Sequence, residues 1–233
     1  WIGDQNQMQP IVLLSEETLT LNDFTMLANG FFTLCDNFSY KSYILTETHR
    51  LLKKSAALTS LFYHTPLKSV ANFDYAFSNS NIQYLPKDGG TVLLCKDMPV
   101  GEKADKSSCE FAIRIVEDIL ESQPKLKIAV LTKFRAAVRM LQNCFISKFG
   151  SKDNVLIDTV ERVQGMTCDV CLYFIPNTMI SMSLNRPLFN VATSRAKQLT
   201  IIVADNSIMN TSCHKDVHSY LIGVTSGIIP DFK

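Results

Sequence analysis

Residues Phe189 to Asp205 read FNVATSRAKQLTIIVAD, an arginine-bearing helical segment running directly into an apolar strand. In LTIIVA (199–204) the apolar residues do not alternate with polar ones, which is the pattern of a strand covered on both faces. Such a strand needs similar neighbours, and the chain supplies them upstream in TVLLC (91–95), KIAVLT (127–132), NVLID (154–158) and VCLYFI (170–175).

Amphipathic segments separate these runs. In SCEFAIRIVEDILESQ, Phe111, Ile115, Val116, Ile119 and Leu120 recur at helical spacing, and Pro124 stops the helix. In FRAAVRMLQNCFISKFG, Phe134, Val138, Leu141 and Phe145 form one side and Gly150 closes the helix. A loop, TVERVQGMT, leads into the strand at 170, and a further helix is expected around 185–195. This alternation predicts an α/β fold, a parallel sheet with helices on both faces. Ligands in such sheets bind at the carboxyl ends of strands, so the loops after Thr132, Asp158 and Ile175 are candidates, with the helix carrying Arg195.

The region before residue 80 reads differently. A strand end at Trp1 and Ile2 leads into a polar loop and then a largely helical stretch with a turn at Asn29 and Gly30. YILT (43–46) reads as a strand, followed by a helix with Leu51, Leu58, Leu61 and Phe62 facing inward. About thirty residues at the start are expected to be the tail of a preceding domain. The first residue, a tryptophan, suggests a piece of a longer protein.

With 233 residues, 46% of them hydrophobic, the chain can bury a full core. A formal net charge of +1 gives no global attraction to polyanions, so any nucleic-acid site must be built locally. Seven cysteines, an odd number scattered through apolar runs, fit reduced thiols rather than a disulfide framework. Neither a secretory leader nor an apolar run of roughly 20 residues is visible, which predicts an intracellular, cytoplasmic protein without a membrane partner.

Five stretches, in order, carry a family resemblance: GDQNQMQP (3–10), THRLLKKSAALTSLFYHTPL (48–67), IAVLTKFRAAV (128–138), DTVERVQGMTCD (158–169) and FNVATSRAK (189–197). Together they resemble the later motifs of superfamily 1 helicases, closest to the up-frameshift-like branch. In that branch the first reads roughly G-D-x-x-Q-L-x-P and the last N-V-A-x-[TS]-R-A. The resemblance implies a RecA-like P-loop NTPase lobe, with residues 1–30 as the tail of a first lobe and 31–233 as a second. It also implies ATP and magnesium in the cleft between lobes, with single-stranded nucleic acid crossing both; the sequence leaves DNA and RNA open, and the general character of the chain gives only a weak lean to DNA.

The family's residues carry over by position. Arg50 and Arg195 match two arginines that neutralise charge on the transferring γ-phosphate. Asp4 and Gln7 match the pair that senses that phosphate, and Gln164 and Gly165 the loop linking nucleotide to nucleic acid. Thr132, Lys133 and Arg135 match a backbone grip that reads no sequence. Two positions depart from the family: Thr167 stands where a glutamate contacts ribose, and His49 where a tyrosine stacks on adenine. No G-x-x-x-x-G-K-[ST] stretch occurs, so this chain alone is expected not to hydrolyse ATP, and magnesium is expected mainly on the other lobe.

Blander readings stand beside these. An arginine at a helix end is ordinarily a surface ion pair, Lys133 and Arg135 could simply be solvated, and Gln164-Gly165 could be a plain turn. A degenerate module that binds nucleic acid or protein without turnover fits the two departures. Cys168 and Cys171 have the C-x-x-C spacing of a redox or zinc site, but they enter a buried strand on which they are expected to face opposite environments.

Overall fold

The computed structural model describes residues 3–8, 15–19 and 43–226. The expected strand at residues 1–2, the turn at 29–30 and the proposed lobe boundary at 30/31 lie outside them. Six parallel strands form the main sheet: β3 (Gly90–Cys95), β4 (Ile128–Thr132), β5 (Val155–Thr159), β6 (Cys168–Ile175), β7 (Ala196–Ala204) and β8 (Thr225–Ser226). Their spatial order is β5-β4-β6-β7-β3-β8. A separate parallel pair joins β1 (Glu47–Thr48) to β2 (Lys68–Ser69). The α/β fold class expected from the alternation is thus the one adopted.

Helices cover both faces because the strands are apolar on both. One face stacks Val92, Leu94, Val130, Leu172, Phe174, Ile201 and Val203 under the helices Lys106–Ser122 and Arg135–Phe149. The expected stripe Phe111, Ile115, Val116, Ile119 and Leu120 is buried there. Asp105 caps the first of these helices, accepting from Ser108 N at 2.7 Å, and Gly150 ends the second at a φ of 68°. The opposite face stacks Leu93, Leu131, Tyr173, Ile175 and Ile202 under Arg186–Thr193 and Lys215–Gly223, with Phe62 beside them.

Three expectations change. YILT forms no strand: Tyr43, Ile44 and Leu45 are 79%, 71% and 86% exposed, and pairing starts only at Glu47. Apolar composition suggested a strand there, but the parallel ladder with Lys68–Ser69 begins at Glu47, and of residues 43–46 Thr46 joins its edge through its carbonyl, which accepts from Lys68 N at 2.7 Å. Leu61 is exposed while Phe62 is buried, because the helix Lys53–Thr59 tightens into a 3₁₀ turn over Ser60–Phe62 and its facing changes. The cysteines of C-x-x-C do not face opposite ways either. A register irregularity between Cys168 and Val170 breaks the alternation, so both belong to the same core cluster.

Candidate functional site at the amino edge of the sheet

The residues singled out from sequence fall into two groups at opposite ends of the sheet. Arg195 directly precedes the first residue of β7, and Met166, which it touches, lies just before β6. This group therefore sits at the amino ends of the strands, whereas Thr132, Lys133 and Arg135 sit at the carboxyl end of β4. Five residues of β4, about 16 Å at ~3.3 Å each, separate the two ends.

Arg195 is held by a short helix and the turn after it. Asn185 caps Arg186–Thr193 by accepting from Leu188 N at 3.4 Å, and Pro187 suits the first turn, where a missing N–H costs nothing. The helix ends at Thr193, with Ser194 as its C-cap, so Arg195 belongs to the turn rather than to the helix. Its guanidinium folds back: Nε donates to Val191 O at 2.9 Å, and the terminal nitrogens reach Met166 O at 3.4 Å, Ser194 Oγ at 3.1 Å and Gln7 Oε1 at 3.3 Å. Arg195 is only 3% exposed. Burial, and then the neighbouring Arg50, lower its pKa from the usual arginine value.

Arg50 approaches from the other side, donating to Ser194 O at 3.1 Å. Neither arginine forms an ion pair among the described residues. Two adjacent guanidinium groups, one of them buried and both bonded to neutral oxygens, create a locally positive site. Burial of that kind is costly unless an anion completes it.

Asp4 is tied to the site through an amide. Its carboxylate accepts from Asn6 N at 2.9 Å, from Gln7 Nε2 at 2.8 Å and from Tyr63 OH at 2.6 Å. Gln7 thus donates to Asp4 and accepts from Arg195, bridging carboxylate to guanidinium. Burial, and then the bond to Asp4, push the Tyr63 phenol up to about 12. Gln164 closes the arrangement by donating to Met8 O at 3.0 Å. Gly165 follows at a φ of 87°, a left-handed turn that favours glycine.

At the carboxyl end Lys133 pairs with Glu161, and both are about one-third exposed or less. Arg135 is exposed. Thr132 is wholly buried, with no hydrogen-bond partner for its Oγ1 among the described residues, so its hydroxyl meets a ligand only after movement. Glu161 opens the crossover 160–167, which runs from this end back to Gln164 and Met166 at the other. That segment is the physical link between the two groups.

Sequence reading assigned no role to Tyr63, Asn190, Arg186 or Glu161. Asn190, wholly buried, donates to Asn6 O at 2.9 Å and to Tyr63 OH at 3.3 Å. The spacing of Arg186 and Asn190, four residues apart on one helix, was the available signal. His49 and Thr167, the two departures, are both exposed. Cys171 donates to Ala192 O at 3.2 Å; its thiol is held well above the ordinary cysteine value, first by its hydrogen bond with Cys168 and then by burial. All six cysteines among the described residues are free, and those residues hold no group of three or more His, Cys, Asp or Glu side chains fit for a metal ion.

A family model described as an AAA domain matches residues 28–207, more than half of the sequence. The chain belongs to the AAA domain family. The match takes in Arg50, Gln164, Gly165 and Arg195, while Asp4 and Gln7 lie before it. Among solved structures this AAA domain is similar to the C-terminal domain of a possible DNA helicase from Lactobacillus plantarum WCFS1, with a TM-score of 0.45 at 11% identity, over 77% of this chain and 98% of that one. It is also similar to the PRRSV helicase, with a TM-score of 0.32 at 17% identity, over 69% of this chain but only 23% of the helicase. No curated protein matches the sequence. Among the described residues no helix is long and apolar enough to cross a membrane.

Proposed function

We propose that this chain is the second RecA-like lobe of a superfamily 1 helicase of the up-frameshift-like branch, residues 31–233, joined to the tail of the first lobe, residues 1–30. The observation that carries the reading is the convergence of Arg50 and Arg195 at one edge of the sheet, with no carboxylate among the described residues paired to either and Gln7 bridging Arg195 to Asp4.

This arrangement suits the γ-phosphate of ATP. Arg195 and Arg50 present positive charge where negative charge develops, from positions fixed before the reaction begins. Val191 O and Ser194 Oγ orient the Arg195 guanidinium, and Ser194 O holds Arg50 beside it. The Gln7 amide, oriented by Asp4, offers a polar group to the phosphate or its attacking water. Magnesium, which neutralises phosphate charge when bound, belongs mainly to the first lobe in this proposal. Asp4 is already occupied by Tyr63, Gln7 and the Asn6 amide.

Single-stranded nucleic acid, DNA by preference, is proposed to lie at the carboxyl end of β4 against Arg135 and Lys133. For Lys133 to hold a phosphate it must leave Glu161, which frees the start of the crossover that ends beside Arg195. Nucleic acid and nucleotide would thereby be coupled through residues 160–167.

The test is ATP hydrolysis by the longer protein containing this chain, with and without single-stranded DNA and RNA, beside its Arg195→Ala variant. Polynucleotide-stimulated turnover that falls by about 10³ or more in the variant is the expected result. Binding of nucleic acid without any turnover in the wild type would instead favour the module that does not hydrolyse ATP. The engagement of four of the five Arg195 N–H donors by protein oxygens is the observation on that side.

A further inference from the structure

The segment 3–8 carries Asp4 and Gln7 and lies against later parts of the chain. Its fastening comes from residues far away in sequence, and one of them does more than hold it. Arg186 spends its three guanidinium nitrogens on three separate parts of the chain. Nε donates to Asp216 Oδ2 at 2.7 Å, one terminal nitrogen to Asn6 Oδ1 at 2.9 Å and the other to Phe62 O at 2.6 Å. The guanidinium also lies over the Phe62 ring, 5.9 Å from its centroid. Side-chain exposure in the Arg186–Asp216 pair is 24% and 17%, so water screens it less than a surface pair.

Arg186 and Asn190 stand one helical turn apart on the same face of Arg186–Thr193 and both grip Asn6, one at its side chain and the other at its carbonyl. The next residue, Gln7, is the one that reaches Arg195. The same two-turn helix anchors Arg195 through Val191 O. Arg186 and Val191 stand five residues, about 7.5 Å, apart on this helix, so one rigid element carries both the clasp and the arginine's anchor.

We propose that Arg186 is a positioning residue: it clasps Asn6, and through Asn6 it sets the Gln7–Arg195 contact. Its chemistry suits this role better than a lysine would, because a planar fork can satisfy three acceptors in fixed directions whereas an ammonium group cannot hold the same geometry. The anchoring of the fork at Phe62 O and Asp216 makes its approach to Asn6 independent of the segment it holds. Segment 3–8 is then registered to the helix Arg186–Thr193 and to the segment following Arg50, so that Gln7, Arg195 and Arg50 move as one unit. This inference rests on the proposed ATP site for its functional meaning, while the clasp itself is a property of this chain.

The experiment uses the longer protein that contains this chain, as wild type and as Arg186→Met, Arg186→Lys and Asn6→Ala. Hydrogen exchange is followed at the backbone amides of residues 3–8 and, as an internal reference, at those of β4, β6 and β7; ATP turnover and single-strand affinity are measured on the same samples. Arg186→Met and Asn6→Ala should each raise exchange in 3–8 by about tenfold, the double variant should add little, and the reference strands should be unchanged. Arg186→Lys should resemble Arg186→Met, since charge alone does not make the clasp. Maximal turnover should fall by about tenfold or more while affinity for the single strand stays at the wild-type value.

Unchanged exchange in 3–8 for both Arg186→Met and Asn6→Ala overturns the clasp, whatever turnover does. Raised exchange with full turnover overturns the positioning role. Asn6→Ala leaves the Arg186–Asp216 and Arg186–Phe62 contacts in place, so it gives a reading even if Arg186→Met disturbs folding. If the wild type itself never hydrolyses ATP, the proposed function fails, and exchange alone decides whether the clasp exists.

Discussion

Replacing Phe189 by alanine should destabilise the protein by about 4–5 kcal/mol, near the top of the range for deleting a buried phenylalanine. Phe189 is completely buried, with ring centroids of Phe62, Tyr173 and Tyr220 at 6.2, 6.1 and 5.2 Å. Each such pair contributes roughly 0.5–1.5 kcal/mol beyond area burial. The high end is expected because two of the surrounding rings are pinned and cannot collapse into the hole. Tyr173 OH donates to Ser183 O at 2.7 Å, and Tyr220 OH is bonded to Thr91 Oγ1 at 2.7 Å. Urea unfolding followed by far-ultraviolet circular dichroism at 25 °C measures the loss, with an unchanged m-value showing that the unfolded state is comparable. Phe189→Leu, which keeps most of the volume, should cost no more than about 1.5 kcal/mol. A loss below about 2 kcal/mol for Phe189→Ala at constant m would refute the argument, since it would mean that the aromatic cluster relaxes. The same change should displace Val191, whose carbonyl anchors Arg195, so turnover at the proposed ATP site should suffer in the alanine variant before it does in the leucine one.

Acid stability depends on Asp205. Burial alone would raise its carboxyl pKa, but hydrogen bonds from Ser207 and Met98 outweigh burial and hold it below the ordinary aspartate value. A carboxylate depressed in the folded state contributes stability that is present above its unfolded pKa, about 3.9, and lost as pH falls through the folded value. Asp205→Asn should therefore lower Tm at pH 7 and make it less dependent on pH below about 4; parallel curves for variant and wild type would contradict this. Gly89→Ala should cost about 1–3 kcal/mol, because φ is +79° and a Cβ would lie 2.7 Å from Leu52 Cδ1 and 3.3 Å from Gln198 O. Gly101→Ala, at a φ of +84° with open space, should cost only the backbone part, and a larger loss there than at Gly89 would refute the clash.

The five strands between residues 90 and 204 and the helices Lys106–Ser122, Arg135–Phe149 and Arg186–Thr193 were legible because each buries a face, and burial writes a period into the residues, whereas Ile180–Ser183, Lys215–Gly223 and Thr225–Ser226 went unread. Phe111 to Leu120 repeat at helical spacing, and LTIIVA is apolar on both sides because helices cover both sides of its sheet. YILT and Leu61 were misread because an apolar side chain in sequence does not reveal whether anything packs on it. The side chosen by Cys168 was hidden in a register irregularity, a matter of backbone pairing that composition does not carry.

The site divides along the same line. Arg50, Arg195, Asp4 and Gln7 were singled out by motif resemblance, but their meeting at the amino ends of the strands was not foreseen, since the general rule for parallel sheets pointed to the carboxyl ends. Sequence by itself determined which segments bury apolar faces, and hence the parallel α/β architecture, because hydrophobic periodicity is local and repeats. Only the tertiary structure decided that Gln7 bridges Asp4 to Arg195 across 188 positions, that Lys133 is taken by Glu161, and that Arg186 joins residues 6, 62 and 216. Those are single hydrogen bonds between distant residues, and a single contact leaves no period in the chain from which it could be read.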